Sequence, residues 1–176
     1  MQALSKDELN ALLTVAYADS KRNWLMFVVT YWHGLRASET VGLKVADING
    51  GFIDVQRLKG SMRTVQPLVE HADPLLNEKA ALLEFIQGMH REQKVFSVTR
   101  KTFWALFQKY GALAGLPQHK RHPHCLKHSI AIHSIAKAGV ENVRQYLGHR
   151  SLNSTGAYLR KSDEEASAAC QSAVLA

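Results

Sequence analysis

The segment Lys21–His33 carries Trp24, Leu25, Met26, Phe27, Val28, Val29, Tyr31 and Trp32, with almost no polar face. A helix that is apolar nearly all round must be wrapped by other elements. The Val-Val-Thr-Tyr-Trp run also suits a strand, but helical signals on both sides favour a buried helix. Gly34 stands where such a helix would stop. With 176 residues, 46% hydrophobic and 21% charged, the chain can bury a substantial core as one soluble globular domain.

The rest of the chain is punctuated accordingly. Ser5 and Glu8 have capping-box spacing, predicting a helix from Lys6 to about Tyr17, with Asp19 and Ser20 offering a break and a new N-cap. A short helix is expected from Arg36 to near Leu43. Asn49-Gly50-Gly51 signals a turn, Phe52–Gln56 and Thr64–Leu68 read as antiparallel strands, and Leu58–Ser61 as a hairpin tip. Helices are expected over 77–89, 99–114, 123–138, 140–147 and from Ser151 onward, with Val95–Ser97 briefly extended and Pro117–Arg121 a basic loop. The predicted fold class is α+β, mostly helical with a small antiparallel sheet.

Charge is unevenly spread. Residues 1–90 hold 9 Lys and Arg against 10 Asp and Glu; residues 91–161 hold 13 against 2; residues 162–176 add 3 acidic groups. A basic half of this kind suits a polyanion, nucleic acid ahead of a membrane surface. No apolar run is long enough for a membrane span, and the N-terminus lacks the basic start of a signal peptide. Cys125 and Cys170 are the only cysteines, which points to a reducing cytoplasm and away from a disulfide or Cys-zinc scaffold.

Reactive groups gather between His122 and Arg160. On a helix, His124 and Lys127 share a face, with His128 four residues from His124 and slightly displaced. Gly148 leaves His149 at a corner, and Tyr158 falls about two turns into the next helix. Upstream, Arg36 follows the apolar helix, with Glu39 one turn on as a possible ion-pair partner, and Lys59 sits at the hairpin tip. Each has an ordinary structural reading: a basic helix face, a packed tyrosine, a buried ion pair, a turn lysine. A metal site built from His119, His122, His124, His128 and His133 is a competing reading, but no acidic or Cys partner lies nearby.

Taken in order, Gly34-Leu35-Arg36-Ala37-Ser38-Glu39, Lys59-Gly60, His124-x-x-Lys127-His128-Ser129, Leu147-Gly148-His149 and Tyr158 resemble the catalytic domain of the tyrosine recombinase (phage integrase) family. The resemblance spans roughly Leu4 to Lys161. His-Gly-Leu-Arg-Ala-Ser-Glu, Arg-Leu-Lys and Tyr-Leu-Gly-His-Arg look most like the short fimbrial phase-switch recombinases. It implies a catalytic domain over 1–161 and a tail over 162–176 that docks on a neighbouring protomer. The implied partners are double-stranded DNA and three further copies of the chain, a homo-tetramer on two sites. No cofactor or metal is implied, and the setting is the bacterial or phage-infected cytoplasm, acting on the nucleoid.

The resemblance also assigns roles. Tyr158 would attack the scissile phosphate, forming a 3′-phosphotyrosine link and releasing a 5′ hydroxyl. Arg36 would bind the non-bridging oxygens and Lys59 would protonate the leaving oxygen. His124 would accept or orient the nucleophile's proton, His149 would hydrogen-bond the phosphate, and Glu39 would fix the surroundings. Lys120, Arg121 and Arg150 are the expected DNA-backbone contacts. One position departs from the pattern: Lys127 stands where the family carries a second arginine, keeping the charge but losing the planar fork. The chain is then an enzyme with a re-tuned phosphate ligand, one assisted by another cation such as Arg121, or a DNA-binding regulator with impaired cleavage. The presence of every other position favours the enzyme.

Overall fold

Ser5 opens the first helix as its spacing with Glu8 requires: its hydroxyl accepts from the Glu8 N–H, and the Glu8 carboxylate accepts from the Ser5 N–H. The computed structural model describes residues 2–58, 60–156, 158 and 171–172. Helix α1 spans Lys6–Asp19, one half-turn longer than expected, because the Ser20 N–H still bonds the Ala16 carbonyl. Ser20 then caps α2, Lys21–Trp32. The Val-Val-Thr-Tyr-Trp run is helical, and every residue from Asn23 to Tyr31 is buried.

This central helix packs against α1, against α4 (Glu78–Phe85) and against α6 (His124–Ala138). Phe27 meets Phe103, Phe107 and Tyr110 of α5 (Arg100–Leu113), with centroids 5.8, 5.3 and 5.7 Å away. Burying each such ring contributes roughly 1.5–3 kcal/mol, before the added value of the tilted and edge contacts. Two indole N–H groups tie α2 to the loop before α4, Trp24 to the Leu75 carbonyl and Trp32 to that of Leu76.

A short helix α3, Ala37–Gly42, leads into the sheet. Strands β1 (Ile48–Asn49), β2 (Phe52–Val55) and β3 (Thr64–Pro67) lie in that order, all antiparallel, with Ile48 opposite Ile53 and Val55 opposite Thr64. Ile53 and Val55 face the core while Phe52 is exposed, the period of a sheet covered on one side. Pro67 ends β3, where its missing N–H costs nothing.

Some boundaries differ from expectation. Helix α4 stops at Phe85 rather than near Met89, since the chain tightens through Ile86 and Gln87 into Gly88 at φ +77°. Val95–Ser97 has only the Leu43–Lys44 edge to pair with, so the extended piece is reduced to a single bridge, Lys44 with Lys94. Helix α7 spans Val140–Tyr146, and α8 is described over Asn153–Gly156. Lys59 and all of 162–176 apart from 171–172 lie outside the described residues. Among the described residues, no helix is long and apolar enough to cross a membrane.

Candidate active site

Two close approaches bring distant elements to one corner. Gly34 ends α2 at φ +56°, and a Cβ there would lie 2.4 Å from a Leu147 methyl, so α7 seats against the entrance to α3. Gly148, at φ +68°, has no room for a Cβ, which would sit 2.5 Å from the Met62 carbonyl oxygen. The Met62 N–H instead bonds the Gly148 carbonyl at 2.8 Å, laying the β2–β3 hairpin beside His149. Both glycines are steric requirements of the site's assembly.

Glu39, buried in α3, organises one side. Its carboxylate accepts from the Arg36 N–H and Nη1 at 2.8 Å, from the Leu58 N–H at 3.0 Å and from Arg57 Nη1 at 3.4 Å. Burial alone would raise its pKa. The backbone donors of Arg36 and Leu58 and the charges of Lys127 and Arg57 outweigh burial and hold it below the usual carboxylate value. Arg36 also reaches the Leu58 carbonyl and the Ser61 hydroxyl, each at 3.2 Å, while its side chain stays about one fifth exposed. The hairpin tip is therefore fastened beside Arg36, although Lys59 itself is outside the described residues.

Arg57 was not expected here. Its fully buried guanidinium donates to the carbonyls of His33, Gly34 and Tyr146 at 2.8, 3.0 and 3.2 Å and to the Thr64 hydroxyl at 3.0 Å. One side chain thus joins the end of α2, the end of α7, the hairpin and α3. Its partners lie as far as 89 residues away, which hides it from any short-range motif.

On the other side stands Lys127, only 2% exposed, whose Nζ has no hydrogen-bond partner among the described residues. Burial, then the charges of Arg57 and Arg36, push its pKa down to about 7, against a smaller upward pull from Glu39. His149 is buried beside it and bonds Thr155 through Nδ1 at 2.9 Å. Burial, Lys127, Arg36, Arg57 and Arg144 lower its pKa to about 4. Arg144 also holds the corner by donating to the His149 carbonyl at 2.7 Å.

The Tyr158 hydroxyl lies 2.9 Å from His128 Nδ1. Burial pushes the phenol up to about 12, with Arg36 pulling slightly the other way. His124 stands edge-on to His128, ring centroids 4.3 Å apart. Arg36, Lys127, His149 and Tyr158 are thus brought together, and the imidazole on the phenol is that of His128. Its i, i+4 spacing from His124 was visible in the sequence, but nothing there singled it out.

The three expected DNA contacts are placed differently from one another. Arg150 is exposed. Lys120 is tied to Glu8 at 2.7 Å, and Arg121 donates to the Leu116 carbonyl at 2.7 Å with its stem against Gly111. The cations acting on Lys127 are Arg57 and Arg36, with Arg121 committed elsewhere. A basic hollow lined by Ala37, Arg100, Lys101, Trp104 and His124 borders the site, with Trp104 51% exposed. Among the described residues, no group of three or more His, Cys, Asp or Glu side chains is placed to hold a metal ion.

The chain is 32% identical over 166 residues to tyrosine recombinase XerA of Pyrococcus furiosus, covering 90% of this chain and 57% of that one. It therefore spans little more than half the length of this relative. In fold it is similar to XerH site-specific recombinase in a pre-cleavage complex with difH DNA, with TM-score 0.74, 19% identity, and 97% of this chain and 54% of that one covered. A lambda integrase from a tetramer on a Holliday junction matches with TM-score 0.69 and 20% identity, over 85% of this chain and 47% of that one. The model of the phage integrase family matches residues 2–165, and the chain belongs to that family.

Proposed function

We propose that this chain is the strand-transferring domain of a site-specific DNA recombinase, with Tyr158 as nucleophile. The observation that carries the reading is Lys127: a buried ammonium without a hydrogen-bond partner among the described residues, beside Arg36 and His149. An unpaired buried cation is costly unless an anion arrives to meet it. A DNA phosphodiester supplies that anion.

The Tyr158 O–H proton passes to His124, or to a group that His124 orients, as the oxygen attacks phosphorus; the bond to the 5′ oxygen breaks, and the departing oxygen takes a proton from Lys59. Charge gathering on the non-bridging oxygens meets Arg36, Lys127 and a His149 nitrogen, donors fixed before the reaction begins. The bond energy is kept in the phosphotyrosine, so a different 5′ hydroxyl can reverse the step. Arg150 and the hollow of Arg100, Lys101 and Trp104 would carry the flanking duplex through phosphate contacts. The same proposal assigns residues 1–161 to catalysis and 162–176 to docking on a neighbour in a tetramer, in the bacterial or phage-infected cytoplasm. It extends to the fimbrial-switch likeness carried by Arg57-Leu58-Lys59 and Tyr146–Arg150.

The test is a pool of nicked duplexes with a randomised core. The expected product is a protease-sensitive protein–DNA adduct that survives EDTA and is lost in Tyr158→Phe. The second reading, a regulator that binds DNA without cutting it, predicts retention of duplex with no adduct. Cleavage that required a divalent metal would contradict the scheme. Loss of synapsis on deleting residues 162–176 is expected from the docking role.

A further inference from the structure

We infer that the exposed face of Trp104 is a stacking platform for an unpaired base of the incoming DNA strand, close to the 5′ hydroxyl that rejoins the phosphotyrosine. The inference rests on the strand-transfer reading above and adds a second state of DNA that this surface holds, a single strand. The chain has three tryptophans, and two of them are used inside the fold. Trp24 and Trp32 lie on α2 and give their indole N–H groups to the carbonyls of Leu75 and Leu76. Trp104 is 51% exposed, and among the described residues its indole nitrogen has no hydrogen bond and its face meets no ring or cation. The helix beneath it is fixed, since Phe103, Phe107 and Tyr110 of α5 pack on Phe27.

The charges around the ring suit a nucleic-acid strand. Arg100 and Lys101 stand four and three residues before Trp104, so the three side chains share one face of α5. Both cations are exposed in the first turn of the helix, which holds no acidic residue, and there the macrodipole works against them. Neither makes an ion pair or a side-chain hydrogen bond among the described residues. Between Glu92 and Glu141 the chain has no Asp or Glu, so the ring faces solvent within a stretch whose charged side chains are all cations. Ala37, which follows Arg36, and His124 line the same hollow, which therefore opens beside the phosphate ligands. An aromatic face flanked by backbone-binding cations is the pattern that holds single strands. A duplex keeps its base faces inside the stack and offers Trp104 only its edge.

Strand transfer produces such a strand. After cleavage, the end with the free 5′ hydroxyl must leave its old complement, and a different 5′ end must arrive before it has paired. The incoming nucleotides are therefore unpaired as their hydroxyl approaches the phosphotyrosine. A base stacked on Trp104, with Arg100 and Lys101 on the neighbouring phosphates, holds that end near phosphorus and removes the freedom that would keep it away. Stacking uses the face that every base has, so the platform sets position and not sequence.

The experiment forms the adduct to completion on the duplex that the wild-type chain selects from the randomised pool. It then chases the adduct with single strands bearing a 5′ hydroxyl, intact or lacking the base at the first, second or third position. The strand concentration that half-saturates joining is read for wild type, Trp104→Ala and Trp104→Phe. With intact strands Trp104→Ala should need about tenfold more strand, the effect of one base stacked on an aromatic ring, and Trp104→Phe little more than wild type. At one of the three positions, loss of the base should weaken wild type by about tenfold more than it weakens Trp104→Ala. Lost pairing with the complement is common to both proteins and cancels in that comparison. Half-saturation of Trp104→Ala at the wild-type concentration, or base loss that costs both proteins the same at every position, would overturn the stacking role and leave the recombinase reading intact. A wild-type chain that forms no adduct would remove both.

Discussion

Arg57 and Lys127 are both buried cations at the same pocket, and they are held in opposite ways. Arg57 places its donors on three backbone carbonyls, a hydroxyl and a carboxylate. Lys127, equally hidden, places its ammonium on nothing among the described residues. The planar fork suits a fixed set of oxygens gathered from four elements. The compact, flexible ammonium can shed its proton when unpaired and regain it when an anion arrives. Burial alone therefore says little about a cation's job; satisfaction separates the scaffold from the group that waits for ligand.

The sharpest way to break this contrast is to remove each cation. Arg57→Ala leaves the carbonyls of His33 and Gly34 without this donor, leaves that of Tyr146 only its bond from the Gln66 side-chain amide, and takes one charge from Glu39. A loss of about 3–5 kcal/mol in urea unfolding is expected. A loss under about 1 kcal/mol would show that the hub is ornamental. Lys127→Met should leave stability unchanged or raise it, because no hydrogen bond is broken and removing a desolvated buried charge outweighs the loss of its attraction to Glu39. Its adduct formation should fall by about 100-fold or more, the cost of a missing oxyanion donor. Lys127→Arg should keep or raise the adduct rate, since the fork is restored.

Stability against pH sharpens the contrast further. The Lys127 pKa in the fold, about 7, lies below its unfolded value, so the unfolded chain binds more protons between the two. The cost of burying Lys127 charged is fully present below pH 7 and is relieved as pH rises above it. The stability gap between wild type and Lys127→Met should therefore narrow from pH 7 to about 9. The smallest expected effect is at the rim: Arg150→Ala should weaken duplex binding modestly and reduce the salt slope by about one contact.

What the sequence made legible was mostly local chemistry. Ser5 with Glu8, Ser20, Gly34, Gly139 and Gly148 announce ends of helices through their own backbone preferences, and the structure uses each of them so. The order of Arg36, Lys127, His149 and Tyr158 was legible because a motif preserves sequence order. Arg57 was not, since its worth lies in carbonyls from other parts of the chain, and a lone arginine beside a hairpin carries no sign of them. His128 lay in view beside Lys127, but only the placement of Tyr158 distinguishes it from His124. The extent of the Val95–Ser97 strand depended on an edge long enough to pair with, a tertiary property.

The proton taken up when duplex binds tests the account most directly, since it asks whether Lys127 recharges on meeting phosphate. Calorimetry at about pH 8 in two buffers of different ionisation enthalpy counts it for wild type and for Lys127→Arg. The wild-type chain should take up about one proton more than the arginine variant. Equal uptake by the two would contradict Lys127 as the group that waits for the phosphate.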